Sequence, residues 1–288
     1  MMDTETRKTT AADWFRSLRD TITTAFESLE DSTDSKLPPG RFEVTPTTRD
    51  NGAGGGGIMS VMRGGRLFEK VGVNWSAVHG ELNPRAQKAM AARGVAGIEG
   101  DPRFWASGIS LVAHMRNPHC PAVHMNTRMF WTPGAEWFGG GADLNPCLEY
   151  SEDTVHFHAQ MRAACEAHDP GYYPRFKAWA DEYFFVPHRG RARGVGGIFY
   201  DDLNTGNWDA DFAFTRAVGE AFLPAVTPLW QARRAQDWSE DDKDAQLIHR
   251  GLYAEYNLVY DRGTKFGLET GHDANAVLMS LPPLAKWV

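Results

Sequence analysis

Apolar and polar positions alternate along two short runs, 108–114 and 122–131, and this predicts a pair of strands. Side chains two apart on a strand share a face. His124, Asn126 and Arg128 therefore stand on one side of the second run, with Val123, Met125, Thr127 and Met129 on the other. On the first run Ser110, Val112 and His114 share a face, backed by Ile109, Leu111 and Ala113. The connection 115–121, with Pro118 and Pro121, folds the runs into a hairpin that brings His114 near His124 at its loop end. A hydroxyl, two imidazoles, an amide and a guanidinium on one wall describe either a solvated face or a polar pocket.

Elsewhere the period changes. Trp14, Phe15, Leu18, Ile22, Phe26 and Leu29 recur at helical spacing, with Thr10 as the expected N-cap. The stretch 31–57 is polar and rich in Pro, Thr, Asp and Gly, and Gly54 to Gly57 end it as a turn entering a strand. Residues 58–62 and 66–71 read as a hairpin, and 138–146 as a glycine-rich loop close to a ligand. Helices are expected from Ser151, as cap, to about His168, from Pro174 to about Phe185, and from about Ala210 to Val226. A third long helix ends near Arg250. Strands are expected at 194–202, 253–261 and 274–281. Strand pairs with interspersed helices indicate an α+β fold: a large, mainly antiparallel sheet with helices on both faces. We expect one domain over residues 1–288, with 1–57 as an N-terminal helix and polar, glycine-rich lead-in.

The chain has 288 residues, 42% of them hydrophobic, which is enough for a large core. A net charge of -7 argues against general nucleic-acid affinity, so an acidic ligand must be met by local arginines. Cys120, Cys147 and Cys165 are too few and too scattered for a disulfide framework, and a reduced, cytoplasmic setting is expected. No apolar stretch approaches the roughly 20 residues needed to span a bilayer. The glycine run lacks the Gly-Lys-Ser/Thr of a phosphate loop, and no dinucleotide spacing occurs.

His114, His124, His158 and His188 either gather a divalent cation, which imidazole suits, or serve hydrogen-bond networks and acid–base chemistry. His156 and His158, two apart on a helix, face different sides. Asp143, in its glycine loop, and Asp261, before Arg262-Gly263, either satisfy nearby amides or take a ligand N–H or a proton. Arg128 and Arg262 are the arginines placed to grip an acidic ligand.

Taken together, the motifs resemble one family. They are Gly54–Gly57, Phe68-Glu-Lys-Val-Gly-Val-Asn-Trp-Ser-Ala-Val-His-Gly80, Gly108–His114, His124-Met-Asn-Thr-Arg128 and Trp137–Pro146. Further along come Asp181-Glu-Tyr-Phe184 before His188, Arg193–Asn204, Glu255–Leu268 and Leu278–Pro283. In this order, over almost the whole chain, they resemble the oxygen-dependent coproporphyrinogen III oxidases of haem biosynthesis. The resemblance implies a homodimer built on a flat antiparallel sheet. It implies an oxidoreductase that decarboxylates two propionates of coproporphyrinogen III to vinyls, giving protoporphyrinogen IX, with dioxygen as oxidant. Ser110, Asn126, Thr127, Arg128 and Gly271 are then substrate contacts, and His124 the proton donor. His114, His124, His158 and His188 become ligands of a divalent metal of unknown identity.

A tetracarboxylate substrate gives Arg128 and Arg262 a task, and its pyrrole N–H groups give one to Asp261 or Asp143. No flavin, haem or iron–sulfur motif is present. The chain departs from the family in having His272-Asp273 where Gly-Arg is common, which leaves a gripping arginine to be replaced by another base such as Lys286 or by backbone N–H groups. Two rivals stay open: a metal-dependent oxygenase or hydrolase acting on another substrate, and a porphyrin carrier.

Overall fold

The long N-terminal helix α1 (Thr4–Asp31) lays Ala11, Phe15, Leu18, Ile22, Phe26 and Leu29 against the sheet, all buried. Each buried Phe contributes about 1.5–3 kcal/mol through the surface it removes from water. The helix starts seven residues before the expected site. Asp3, not Thr10, is its N-cap, accepting from Thr6 N at 2.8 Å. The computed structural model describes residues 2–48, 54–269 and 272–288.

Seven strands form one antiparallel sheet among the described residues: β1 (Glu43–Thr48), β2 (Gly55–Arg63), β3 (Phe68–Glu81), β4 (Arg103–Met115), β5 (Ala122–Thr132), β6 (Ala135–Asn145) and β9 (Gly196–Leu203), in that spatial order. β1 lies inside the stretch read as a polar lead-in, and Gly55 to Gly57 belong to β2 rather than to a turn. The β2–β3 hairpin is as expected, with longer arms. A small ribbon, β7 (Phe185–Val186) with β8 (Arg191–Ala192), brackets a 3-10 turn, Pro187–Arg189.

The segment 138–146, expected as a loop, is largely β6. Glycines hid the strand because the space beside it is taken. A Cβ at Gly139 would stand 2.8 Å from Asp201 Oδ1 and 3.0 Å from the Arg128 guanidinium; one at Gly140 would meet the Tyr200 hydroxyl at 2.9 Å.

One face of the sheet carries Val71, Val73, Leu111, Val123, Met125 and Met129 into the main core under α1 and α5 (Trp208–Arg233). α5 is longer than expected and runs through Pro224 and Pro228. α3 (Ser151–Glu166) packs on α5, and α4 (Tyr172–Tyr183) on β9. Tyr150 is the N-cap of α3, without a side-chain bond, so Ser151 is its first residue and not its cap.

The other face is roofed by α2 (Pro84–Ala92), α6 (Glu240–Val259), α7 (Arg262–Glu269), α8 (Ala274–Val277) and the 3-10 turn Leu278–Ser280. Two expected strands fail here. Residues 253–259 continue α6, with Tyr260 as its C-cap, because Gln246, Arg250, Tyr253 and Asn257 recur at spacings of four, three and four and are all buried. Residues 274–281 form helical turns, started by the Asp273 side chain accepting from Asn275 N at 2.8 Å.

Candidate active site

Between that roof and the sheet lies a cavity of about 630 Å³. Its floor is the polar wall foreseen in the alternation. Cross-strand pairs Ser110–Asn126 and Gly108–Arg128 set the residues side by side, and His124 stands opposite Val112. Ser110, His124, Asn126, Arg128, Asp261 and Arg262 all line the cavity.

A chain of contacts orders this wall. His124 Nδ1–H donates to Asp143 Oδ1 at 2.8 Å, so Nε2 is the nitrogen left toward the pocket. Asn126 Nδ2 donates to that Nε2 at 3.3 Å, and Arg128 Nη1 donates to Asn126 Oδ1 at 3.4 Å. Behind His124, Asp143 is 1% exposed and receives Arg193 Nη2 at 2.7 Å and Nε at 2.9 Å on its two oxygens. Asn145 Nδ2 adds a bond to Oδ2 at 2.9 Å. Burial alone would push the Asp143 carboxyl up; Arg193 and then His124 reverse this and hold it well below the usual carboxylate range. Arg193 lies 4.3–4.7 Å from the ring centres of Phe184, Tyr253 and Tyr256, a box that shields its charge from water. Asp143, offered by the sequence as a group to take a ligand N–H or a proton, instead lies behind the cavity wall and, with both oxygens engaged, orients His124.

The second charged group centres on Asp201 of β9. Arg128 Nη2 stands 3.0 Å from its Oδ1; Arg93 Nη2 and Arg262 Nη2 stand 3.1 and 3.7 Å from its Oδ2. Burial opposes ionisation of Asp201, but Arg128, Arg93 and Arg262, in that order, draw its pKa below the ordinary value. One carboxylate among three guanidiniums leaves cationic capacity facing the cavity.

Asp261 follows the end of α6, a helix rather than the expected strand. Its Oδ2 accepts from Thr264 N at 2.6 Å and its Oδ1 from the Tyr183 hydroxyl at 3.1 Å. Burial, then the charge of Asp261, raises the Tyr183 pKa, which keeps that phenol a donor. Tyr183 stacks on Phe199 with centroids 4.0 Å apart, and Arg262 lies 5.0 Å from the Tyr183 ring centre.

Two expectations change. Thr127 is 0% exposed, points away from the cavity as strand parity requires, and leaves Oγ1 without a partner, so its side chain does not line the cavity. Lys286 pairs with Asp244 and does not line the cavity, so it does not supply the missing base. Gly271 lies outside the described residues.

Within this chain the four histidines are held by separate partners and are not gathered around one point. His158 uses both nitrogens, on the Tyr173 hydroxyl and Val195 O, each at 3.0 Å. His188 bonds the Tyr260 hydroxyl and Glu255, both at 2.7 Å, and His124 is held by Asp143 and Asn126. His114 is buried and meets Ser280 O at 2.9 Å. Among the described residues no three His, Cys, Asp or Glu side chains are gathered to hold an ion.

Arg93, Arg193 and Asp201 were not singled out from sequence. Only the Arg193–Asn204 motif marked two of them, since each meets its partners through contacts remote along the chain.

The family model for coproporphyrinogen III oxidase matches residues 10–288. The chain is 48% identical to the oxygen-dependent coproporphyrinogen-III oxidase of Rickettsia bellii (strain RML369-C), over 99% of this chain and 100% of the relative. It is 46% identical to the enzyme of that name from Rickettsia peacockii (strain Rustic), with the same coverage. The one from Rickettsia akari (strain Hartford) is 47% identical, over 97% of this chain and 98% of its own. With a model match along nearly its whole length and relatives of this identity, the chain belongs to the coproporphyrinogen III oxidase family.

Proposed function

We infer that the protein oxidatively decarboxylates two propionates of coproporphyrinogen III with dioxygen, yielding protoporphyrinogen IX for haem synthesis. The observation that carries this reading is the shared cavity. Arg128 and Arg262 offer guanidiniums to propionates, while Asp261 offers a carboxylate to pyrrole N–H groups. In a chain of net charge -7, that local cationic wall is what admits a tetracarboxylate.

Each turnover converts a CH2–CH2–COO⁻ arm, one O2 and one proton into a vinyl group, CO2 and H2O2. Asp261 draws on a pyrrole N–H and raises electron density on the ring, whose carbon attacks oxygen. The resulting substrate peroxide takes a hydrogen from the propionate as CO2 leaves. Asp143 fixes His124 with Nε2 toward the cavity, and that nitrogen takes up a proton and passes it to the departing peroxide. Asn126 and Ser110 orient the reacting arm. No step runs through a metal. A cytoplasmic homodimer completes the reading, and sedimentation at micromolar concentration tests the assembly.

The test is product mass after incubation with coproporphyrinogen III in air and under nitrogen. Loss of two CO2 units in air alone supports the reading. Binding without mass change in either atmosphere identifies a carrier instead.

A further inference from the structure

We propose that Arg93 is a third carboxylate-gripping residue of the pocket and sets how tightly a polycarboxylate is held. The proposal deepens the function inferred above and rests on it.

α2 delivers this side chain. Asn83 caps the helix, accepting from Ala86 N at 2.9 Å, and Pro84 opens it. Ala86, Met90 and Arg93 recur on one helical face, and all three line the cavity. None of the helix's residues is fully buried; Ala86, Met90 and Ala91 rest on the satellite cluster of Val78, Phe104, Phe130 and Trp137. Arg93 at its C-terminal end therefore overhangs the cavity, with its side chain 33% exposed and its guanidinium carbon 5.8 Å from the Trp137 ring centre.

Its partners are unusually arranged. In a regular strand Asp201 and Asp202 would point to opposite faces. Asp202 instead has φ +58°, a left-handed value unique to it among the described non-glycine residues, and the β6–β9 register slips between Phe138 and Gly140. The kink turns both carboxylates to the same guanidinium: Arg93 Nη2 meets Asp201 and also pairs with Asp202. Such strain persists where the surroundings impose it, and it clusters at functional sites.

Charge then points to a ligand. Arg93, Arg128 and Arg262 share Asp201, and Asp202 adds one negative charge, so three positive groups face two negative ones. Asp202 is half-exposed, so water can replace Arg93 on it at little cost, whereas Asp201 keeps Arg128. Arg93 is thus free to exchange onto an incoming carboxylate, where its planar fork binds both oxygens.

The test measures binding of coproporphyrin III, a fluorescent tetracarboxylate, by R93Q, R93K and D202N, together with its four monomethyl esters. Binding is read whether or not turnover occurs, so a failed oxidase reading and a failed Arg93 proposal are told apart. R93Q should weaken binding by about tenfold. That penalty should vanish for the ester of the carboxylate that Arg93 holds. R93K should recover part of the loss, and D202N, whose Asn tolerates the left-handed backbone, should bind no more weakly than the parent. Equal losses in R93Q and D202N, or an R93Q penalty of the same size for every ester, would overturn the proposal and make Arg93 a fastening of α2 to β9.

Discussion

Arg193 spans both oxygens of Asp143, at 2.7 and 2.9 Å, with the two side chains 2% and 1% exposed. Removing one member leaves the other as an uncompensated buried charge. R193M and D143N should each lose about 3–5 kcal/mol of stability. The double variant should lose clearly less than the sum, because its two sites share one interaction. Urea unfolding of the three proteins measures this; strictly additive losses would mean that the pair is not coupled.

Thr127 separates the wall seen in the structure from the one suggested by resemblance. Its hydroxyl is buried, unpartnered and turned to the core side. T127V should leave KM for coproporphyrinogen III within about twofold and stability unchanged or slightly raised, since an unsatisfied polar group is removed. A tenfold rise in KM would return Thr127 to the list of contacts.

Asp261 both accepts the first-turn amide of α7 and faces the cavity. D261N retains an oxygen for Thr264 N, removes the charge and puts an NH2 group where the Tyr183 hydroxyl now donates. We predict a fall in kcat of at least about a hundredfold with KM within about threefold, the pattern of a group used in the transition state. Matching losses in binding and turnover would make it a binding residue only.

His114 supplies a pH dependence with a definite sign. Burial pushes its pKa down from 6.5 to about 3 against the opposing pull of Ser280 O. The folded protein keeps the ring neutral, while the unfolded chain takes up a proton below about pH 6.5. Its contribution is therefore complete above that pH and declines toward pH 3, at up to about 1.4 kcal/mol per pH unit. H114Q should flatten stability against pH across this window. An unchanged slope in urea titrations between pH 4 and 7 would assign the acid sensitivity elsewhere.

Strand parity is rigid, so the wall of Ser110, His124, Asn126 and Arg128 was legible from local pattern alone, and α1 was visible in its apolar spacing. Other features depended on distant residues. β6 looked like a loop because Gly139 and Gly140 make room for Arg128, Asp201 and Tyr200, none of them nearby in sequence. Residues 253–261 alternate well enough to pass for a strand, and only packing of Tyr253 and Asn257 beside Arg193 makes the helical period the one that counts. The ion groups around Asp143 and Asp201 join strands with loops and helix ends through pairings that no local pattern specifies. The four histidines suggested a ligand set by residue type, but each bonds a different neighbour.

The most direct measurement is the stoichiometry of turnover by chelator-treated protein supplied with coproporphyrinogen III in air. We predict two O2 consumed, and two CO2 and two H2O2 released, per protoporphyrinogen formed, with a tricarboxylate intermediate on the way. Substrate bound but unchanged, or turnover restored only by adding a divalent ion, would contradict oxidation carried out by this pocket's own residues.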